Sequence, residues 1–444
     1  MASILKSTSK HLWQHHTALM FFAILMAVQL LSIYVDSGTQ YLRVNVLYVF
    51  LLAFAYLFIN ATLRPKFTGM GDWAQLHGSW KRHEKTIAQG MDIFVLTFPF
   101  LYFSSVGYVP FVRMMYLEDY YVASGLRQVF FEQLPTAMNY GGEYFLRAIA
   151  PVWLVYSYLK RRKLFYAMLI LTSAQALGVI TKASIVILLF PLIVVQLGKR
   201  DWWQVAISGA IITIVLSLNV TVLHRTVLDQ LAKNAVIESA KKKQQRKIDK
   251  PEIIESSQVT RYLESHLEES EFNRKLIEEY KSFEIVAEGI WTRMFAVNGK
   301  IVTQWLETFP ADKGFQHGCG YRWVAAFKHC EFVKLPDMIW MKYHGELNKE
   351  YGLVGTVSAP HYINSYANFG EDGVLLSAIG MALLLVLVNS IFTNPIQNIA
   401  FNGSFIAMAF QTPLTAMLNS NGWGLTILMV MVFLPRAAAK RTGG

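Results

Sequence analysis

Charge is scarce in this chain. Only 16% of its 444 residues are charged, against 54% hydrophobic, and mean hydropathy is +0.32. A soluble domain of this length does not need such a balance, so the chain reads as an integral membrane protein. Phosphate-cradling GxxxxGK[ST], GxGxxG opening a helix, HExxH and GxSxG are all missing, which takes away most support for ATP-driven transport and for serine or zinc hydrolysis. No internal repeat, heptad seam or low-complexity tract is present. No small-residue cleavage pattern follows the first apolar run, which is span-length, so a membrane helix is expected there and not a cleaved signal.

What the chain has instead is apolar runs. A bilayer core about 30 Å thick needs ~17 to 25 apolar residues per helix, and runs at 17–35, 44–63, 91–111, 145–159, 164–180, 183–198, 203–223, 374–392, 399–418 and 423–434 qualify as candidates. The expected fold is all-α, with about ten transmembrane helices. As one helix, 164–198 would be about 52 Å long, so a hairpin is expected near 178–182. That puts KRRK (160–163) and GKR (198–200) on one side. Short loops on that side and the termini then carry 16 Lys and Arg against 4 on the other. The positive-inside rule makes both termini cytoplasmic.

Three parts follow: a transmembrane block at 1–225 (about seven helices), a mostly helical outward loop domain at 226–373, and a second block at 374–444 (about three helices). In the loop, 226–247 and 255–289 read as helices separated by Pro251. The run KKKQQRKIDK (241–250) holds six basic residues and one acidic. It reads as a solvated face or an anionic-headgroup contact, because an outward loop has no use for nucleic acid. Beyond Pro310 the chain loses periodicity and gains Gly, His, Trp, Tyr and Arg, the character of a binding loop.

Both cysteines of the chain, Cys319 and Cys330, fall in this loop. A disulfide is one reading. A soft-metal site with His317 and His329 is the other, although the spacing matches no standard zinc pattern.

Cations and possible bases gather on the outward side: Arg127, Arg147, Lys182, Arg293, His317, Arg322, His344 and His361. A charge at the edge of a span usually has a partner or lines a pathway. Arg147 and Lys182 map there, and arginine suits the paired oxygens of a pyrophosphate. For Arg147 the alternative is snorkelling to headgroups. Aromatic residues of the loop, Trp305, Trp323, Trp340 and Tyr321 among them, suit sugar stacking or interfacial anchoring equally.

The segments RMFAVNGKIVTQWLETFP (293–310), GFQHGCGYRWVAAF (314–327), Leu335-Pro336 and GTVSAPHYINSYANFGEDGVLL (355–376) resemble the late loop of bacterial oligosaccharide repeat-unit polymerases, the Wzy-type enzymes of O-antigen and capsule assembly. SAP followed by YANFGxxG just before a span is the most specific part. The resemblance implies glycosyl transfer at the outer face of the bacterial inner membrane: a glycan on polyprenyl pyrophosphate moves onto a new lipid-linked repeat unit. Donor and acceptor would be lipid-linked oligosaccharides, with membrane lipids, a chain-length regulator and a flippase as partners and no nucleotide or metal cofactor. It further implies Arg293, Arg147 and Arg322 as pyrophosphate ligands, with Arg127 and Lys182 behind them. His361, expected at the mouth of the next span, would be the base, followed by His317 and Asp372. Asn368, Phe369 and Gly370 are expected to shape the loop-to-helix junction, Gly370 and Gly373 by permitting turns. An O-antigen ligase shares the architecture. A flippase or transporter and a membrane scaffold are the readings from other classes.

Overall fold

The computed structural model describes residues 13, 15–76, 83–116, 120–219, 297–351 and 355–433. Arg293, the expected helices at 226–247 and 255–289, the basic run 241–250 and the side chain of Lys182 lie outside the described residues. Among the described residues every regular element is helical. Six helical stretches among the described residues are long and apolar enough to cross a bilayer: Thr17–Ser37, Leu42–Gly69, Glu84–Ser104, Trp202–Asn219, Glu371–Ile391 and, counted across its interruption at 419–422, Leu414–Phe433.

In chain order the elements are α1 (Thr17–Ser37), α2 (Leu42–Leu76), α3 (Glu84–Ser104), α4 (Pro110–Met114), α5 (Tyr120–Gln133) and α6 (Thr136–Tyr144). A π-helical turn, Phe145–Ile149, joins α6 to α7 (Ala150–Leu159). Then come α8 (Phe165–Gly178), α9 (Lys182–Gly198) and α10 (Trp202–Asn219). The remainder is α11 (Asn298–Thr308), α12 (Arg322–Lys328), α13 (Leu335–Tyr351), α14 (His361–Phe369), α15 (Glu371–Ile391), α16 (Pro395–Met408), α17 (Leu414–Leu418) and α18 (Trp423–Phe433).

Several boundaries differ from the apolar runs, each for a local reason. The run at 91–111 is displaced: its helix starts earlier, at Glu84, because its acids have partners, and it ends at Ser104. Asp92 is buried between Arg162 and the indole N–H of Trp153, which donates to it at 2.9 Å, and Glu84 meets Lys160 at 2.8 Å. The run at 399–418 is two helices, α16 and α17, because Pro413 has no N–H with which to continue α16. The run at 164–198 turns between Gly178 and Lys182, giving two short apolar helices.

The bundle closes through α15, which runs parallel to α2: Arg43 meets Glu371 at 2.8 Å at one end, and Asn389 donates to the Tyr56 hydroxyl at 3.1 Å further along. A chain of buried amides continues from there. Asn398 donates to the Asn389 carbonyl oxygen at 2.9 Å, Asn402 donates to that of Asn398 at 3.1 Å, and the Trp423 indole donates to Asn402 at 2.8 Å. Polar groups in an apolar interior are held this way because an unpartnered one is costly.

The two ends of the bundle differ. At one, Lys160, Arg161, Arg162, Lys199 and Arg200 sit on neighbouring turns, so KRRK and GKR do share an end. At the other, Gly38 ends α1 with φ of 62° and the segment 309–334 packs onto the C-terminal part of α14. α11 lies along α1 so closely that a Cβ on Gly299 would stand 2.2 Å from the Ser32 carbonyl oxygen.

Candidate functional site

At the second end, residues 314–334 form a small lobe built around the Cys319–Cys330 disulfide, whose Cα atoms are 6.1 Å apart. The lobe sits on α14. Gly320 N–H donates to the Asn368 side-chain oxygen at 2.9 Å, Gln316 N–H donates to Ala367 O at 3.0 Å, and Tyr321 stacks on Phe369 at 6.2 Å. Burial pushes the Tyr321 phenol up to about 12, and its hydrogen bond with Ser365 opposes that shift. Asn368 and Phe369 therefore hold the lobe onto the helix.

Gly370 joins α14 to α15 at φ of 67°, a left-handed conformation that suits glycine. Gly373 is different: it lies in the first turn of α15, with no positive φ. A Cβ there would stand 2.1 Å from Ser365 O. Its role is close approach of two helices, not a turn.

The candidate bases fall in three settings. His317 is exposed on the lobe at φ of 48°, and its carbonyl accepts from Lys328 at 2.9 Å. Asp372 is exposed in the first turn of α15. His361 is 1% exposed and lies inside the bundle, not at its mouth. α14 climbs nine residues, roughly 13 Å, before α15 begins. Nδ1 of His361 is 2.9 Å from Ala409 O and so must donate, which leaves Nε2 to accept from the Tyr48 hydroxyl at 2.8 Å. Both ring nitrogens are engaged.

Arg147 has the most unusual position of the candidate cations. It sits on the π-helical turn, a feature that widens a helix locally and recurs at functional sites. Opposite lies the non-helical stretch 419–422 between α17 and α18. Gly422, at φ of 84°, brings that stretch against the turn, since a Cβ there would stand 3.1 Å from Ala148 Cβ. Arg147 pairs with Glu143 at 2.7 Å and donates to Asn421, and Tyr144 donates to Asn419 at 3.3 Å. The Arg147 side chain keeps 19% of its surface exposed. A guanidinium has five donors in a fixed fork, and the described residues leave part of that fork unengaged.

No protein-family model matches this sequence. No curated protein and no solved structure is detectably similar to it.

Arg322 is exposed on the lobe, over the Phe332 ring at 5.2 Å, and Arg127 lies over Phe131 at 6.0 Å. The described contacts do not join either of them to Arg147. Among the described residues no group of three His, Cys, Asp or Glu is placed to hold a metal ion. Sequence reasoning missed Glu143, Asn419, Asn421, Tyr48 and the amide chain. Glu143 was within reach, because an acid four residues before an arginine on a helix faces it.

Proposed function

We propose that the protein is a membrane-embedded glycosyltransferase that moves a glycan from polyprenyl pyrophosphate onto a lipid-linked repeat unit at the outer face of a bacterial inner membrane. The observation that carries the reading is Arg147, a cation held inside the bundle on a π-turn with part of its fork free, facing a break in the opposing helices. Such a group suits a pyrophosphate leaving group, whose negative charge grows as the anomeric C–O bond breaks. The loop sequences that resemble Wzy-type polymerases support the same reading.

In this proposal Arg147, Arg293 and Arg322 take the pyrophosphate, with Arg127 and Lys182 drawing it in. The acceptor hydroxyl forms the new bond to the anomeric carbon and its proton passes to a base. His317 and Asp372 are exposed and suited to that step. His361 would act only after Tyr48 releases Nε2. The remaining expected crossings bring the count to about ten, with both termini cytoplasmic and 226–373 outside. Labelling of cysteines introduced at 241–250 in intact cells tests that orientation, and labelling only after membrane rupture would refute it.

A transporter is the second reading, because transporters bind cargo where helices are interrupted, and the chain is interrupted at 409–413 and 419–422 between apolar helices. Deletion of the gene in its host separates the readings. Loss of a polymerase leaves core capped by one repeat unit, loss of a ligase leaves uncapped core with lipid-linked polymer, and loss of a flippase leaves neither.

A further inference from the structure

The basic end of the bundle holds a second polar feature, separated from Arg147 by the helix that runs on to Leu159, about 18 Å along its axis. The turn from α7 to α8 and the turn from α9 to α10 come together there around a cavity of about 670 Å³. Its lining includes Arg161, Arg162, Lys199 and Arg200, with Asp201 as the one carboxylate.

These cations are not equivalent. Arg162 is bound to Asp92 through Nε at 3.0 Å, and Lys199 lies over the Tyr158 ring at 5.4 Å. Arg161 and Arg200 have no acidic partner among the described residues. Both occupy left-handed backbone, at φ of 50° and 57°, a conformation that non-glycine residues seldom adopt. Asp201 is already taken up by the Tyr158 hydroxyl at 2.8 Å and the Gln204 N–H at 3.4 Å. Two further groups of the lining are buried without a hydrogen-bond partner: the hydroxyl of Ser157, a residue that is 0% exposed, and the side-chain carbonyl oxygen of Gln204.

Cations that merely flank spans need neither a cavity nor buried, unpartnered polar atoms. This cavity offers two free guanidinium forks and a hydroxyl to an anion, and beside them a carbonyl oxygen that can only accept. The complementary ligand is a phosphodiester whose alcohol carries a hydroxyl. Trp202 and Trp203, 65% and 73% exposed, follow Asp201 directly, and such aromatics mark the headgroup level of a membrane.

We propose that this cavity binds the headgroup of an anionic, hydroxyl-bearing phospholipid. Arg161, Arg200 and Ser157 hold the phosphate, and the Gln204 oxygen accepts the alcohol. Basic pockets between helices on the cytoplasmic side recognise lipid headgroups by the same physics.

The test uses the full-length protein in detergent, with phosphatidylglycerol, phosphatidylcholine and soluble glycerol 3-phosphate as probes, read by native mass spectrometry and thermal melting. Phosphatidylglycerol should bind and raise the melting temperature, whereas phosphatidylcholine should not. Arg200→Asn should weaken phosphatidylglycerol about fivefold, and the Arg161→Asn, Arg200→Asn pair about 25-fold; asparagine accepts the left-handed backbone, so the turns should survive. Should the pair fail to fold, Ser157→Ala, which removes one donor and no charge, should still weaken binding severalfold. Lys66→Asn removes a charge from an exposed site at the same end and should bind as wild type. Equal binding of the two lipids, or equal loss in Lys66→Asn and Arg200→Asn, overturns the site. Glycerol 3-phosphate binding as tightly as phosphatidylglycerol overturns the lipid assignment.

Discussion

The side-chain oxygen of Asn368 accepts the Gly320 N–H at 2.9 Å while its amide donates to Asn364 O, also at 2.9 Å. One buried side chain thus fastens the disulfide lobe to the helix that precedes α15. The most distinctive short motif of the sequence is a clamp between lobe and helix.

Replacing Asn368 with Ala leaves the Gly320 N–H without its partner and should cost about 1–3 kcal/mol locally. Hydrogen exchange of 314–334 should accelerate while that of α2 and α15 stays protected. Unchanged protection of the lobe would show that the clamp is dispensable.

Non-reducing peptide mapping should recover Cys319 linked to Cys330. Reduction should loosen the lobe by roughly 3 kcal/mol or less, as expected for a short closed loop. Two alkylatable thiols in the native protein would contradict the pairing.

Gly299→Leu should disrupt the contact of α11 with α1, because the Ser32 carbonyl stands where the new side chain begins. Overpacking of this kind costs about 1–3 kcal/mol or more. Full-length protein at normal abundance and melting temperature would contradict it.

Arg147→Ala should reduce glycan polymerisation by ~10²-fold at normal membrane levels, and Arg147→Lys should restore only part, since the fork is lost. Glu143→Gln keeps the shape and removes the counter-charge. Its effect should depend on whether Arg147 is present, which a double-mutant cycle measures. Wild-type chain lengths from Arg147→Ala would remove this residue from the reaction.

His361 and Tyr48 separate a packing role from a chemical one. Tyr48→Phe leaves Nε2 of a buried imidazole unpaired and should lower the melting temperature. If His361 carries a proton in the reaction, His361→Ala should abolish polymerisation even where the protein accumulates normally. Retained polymerisation in that variant leaves the proton to His317 or Asp372.

Much of the scaffold was legible in composition. α1, α2 and α15 follow from uninterrupted apolar runs, and the hairpin at 178–182 from the excessive length of 164–198. Helix interruptions were not legible, because apolar residues continue through 399–418 and Pro413 alone signals the break. Asp92 looked like the edge of a span because its partners, Trp153 and Arg162, are distant in sequence. His361 stands ten residues before α15 and so looked like its mouth. A backbone that descends to Ala409 before climbing again leaves no mark on local composition.

The amide of Ala18 donates to Asn389, 371 positions further along the chain, at 2.9 Å, and that fact bears on how the protein is made. α1 thus docks on a side chain synthesised 371 residues after its own, so this contact cannot form while the chain between them is still being made. Until then its polar end must wait in the bilayer or be sheltered by the insertion machinery. The packing of α1 in this bundle is therefore completed only once α15 has been made.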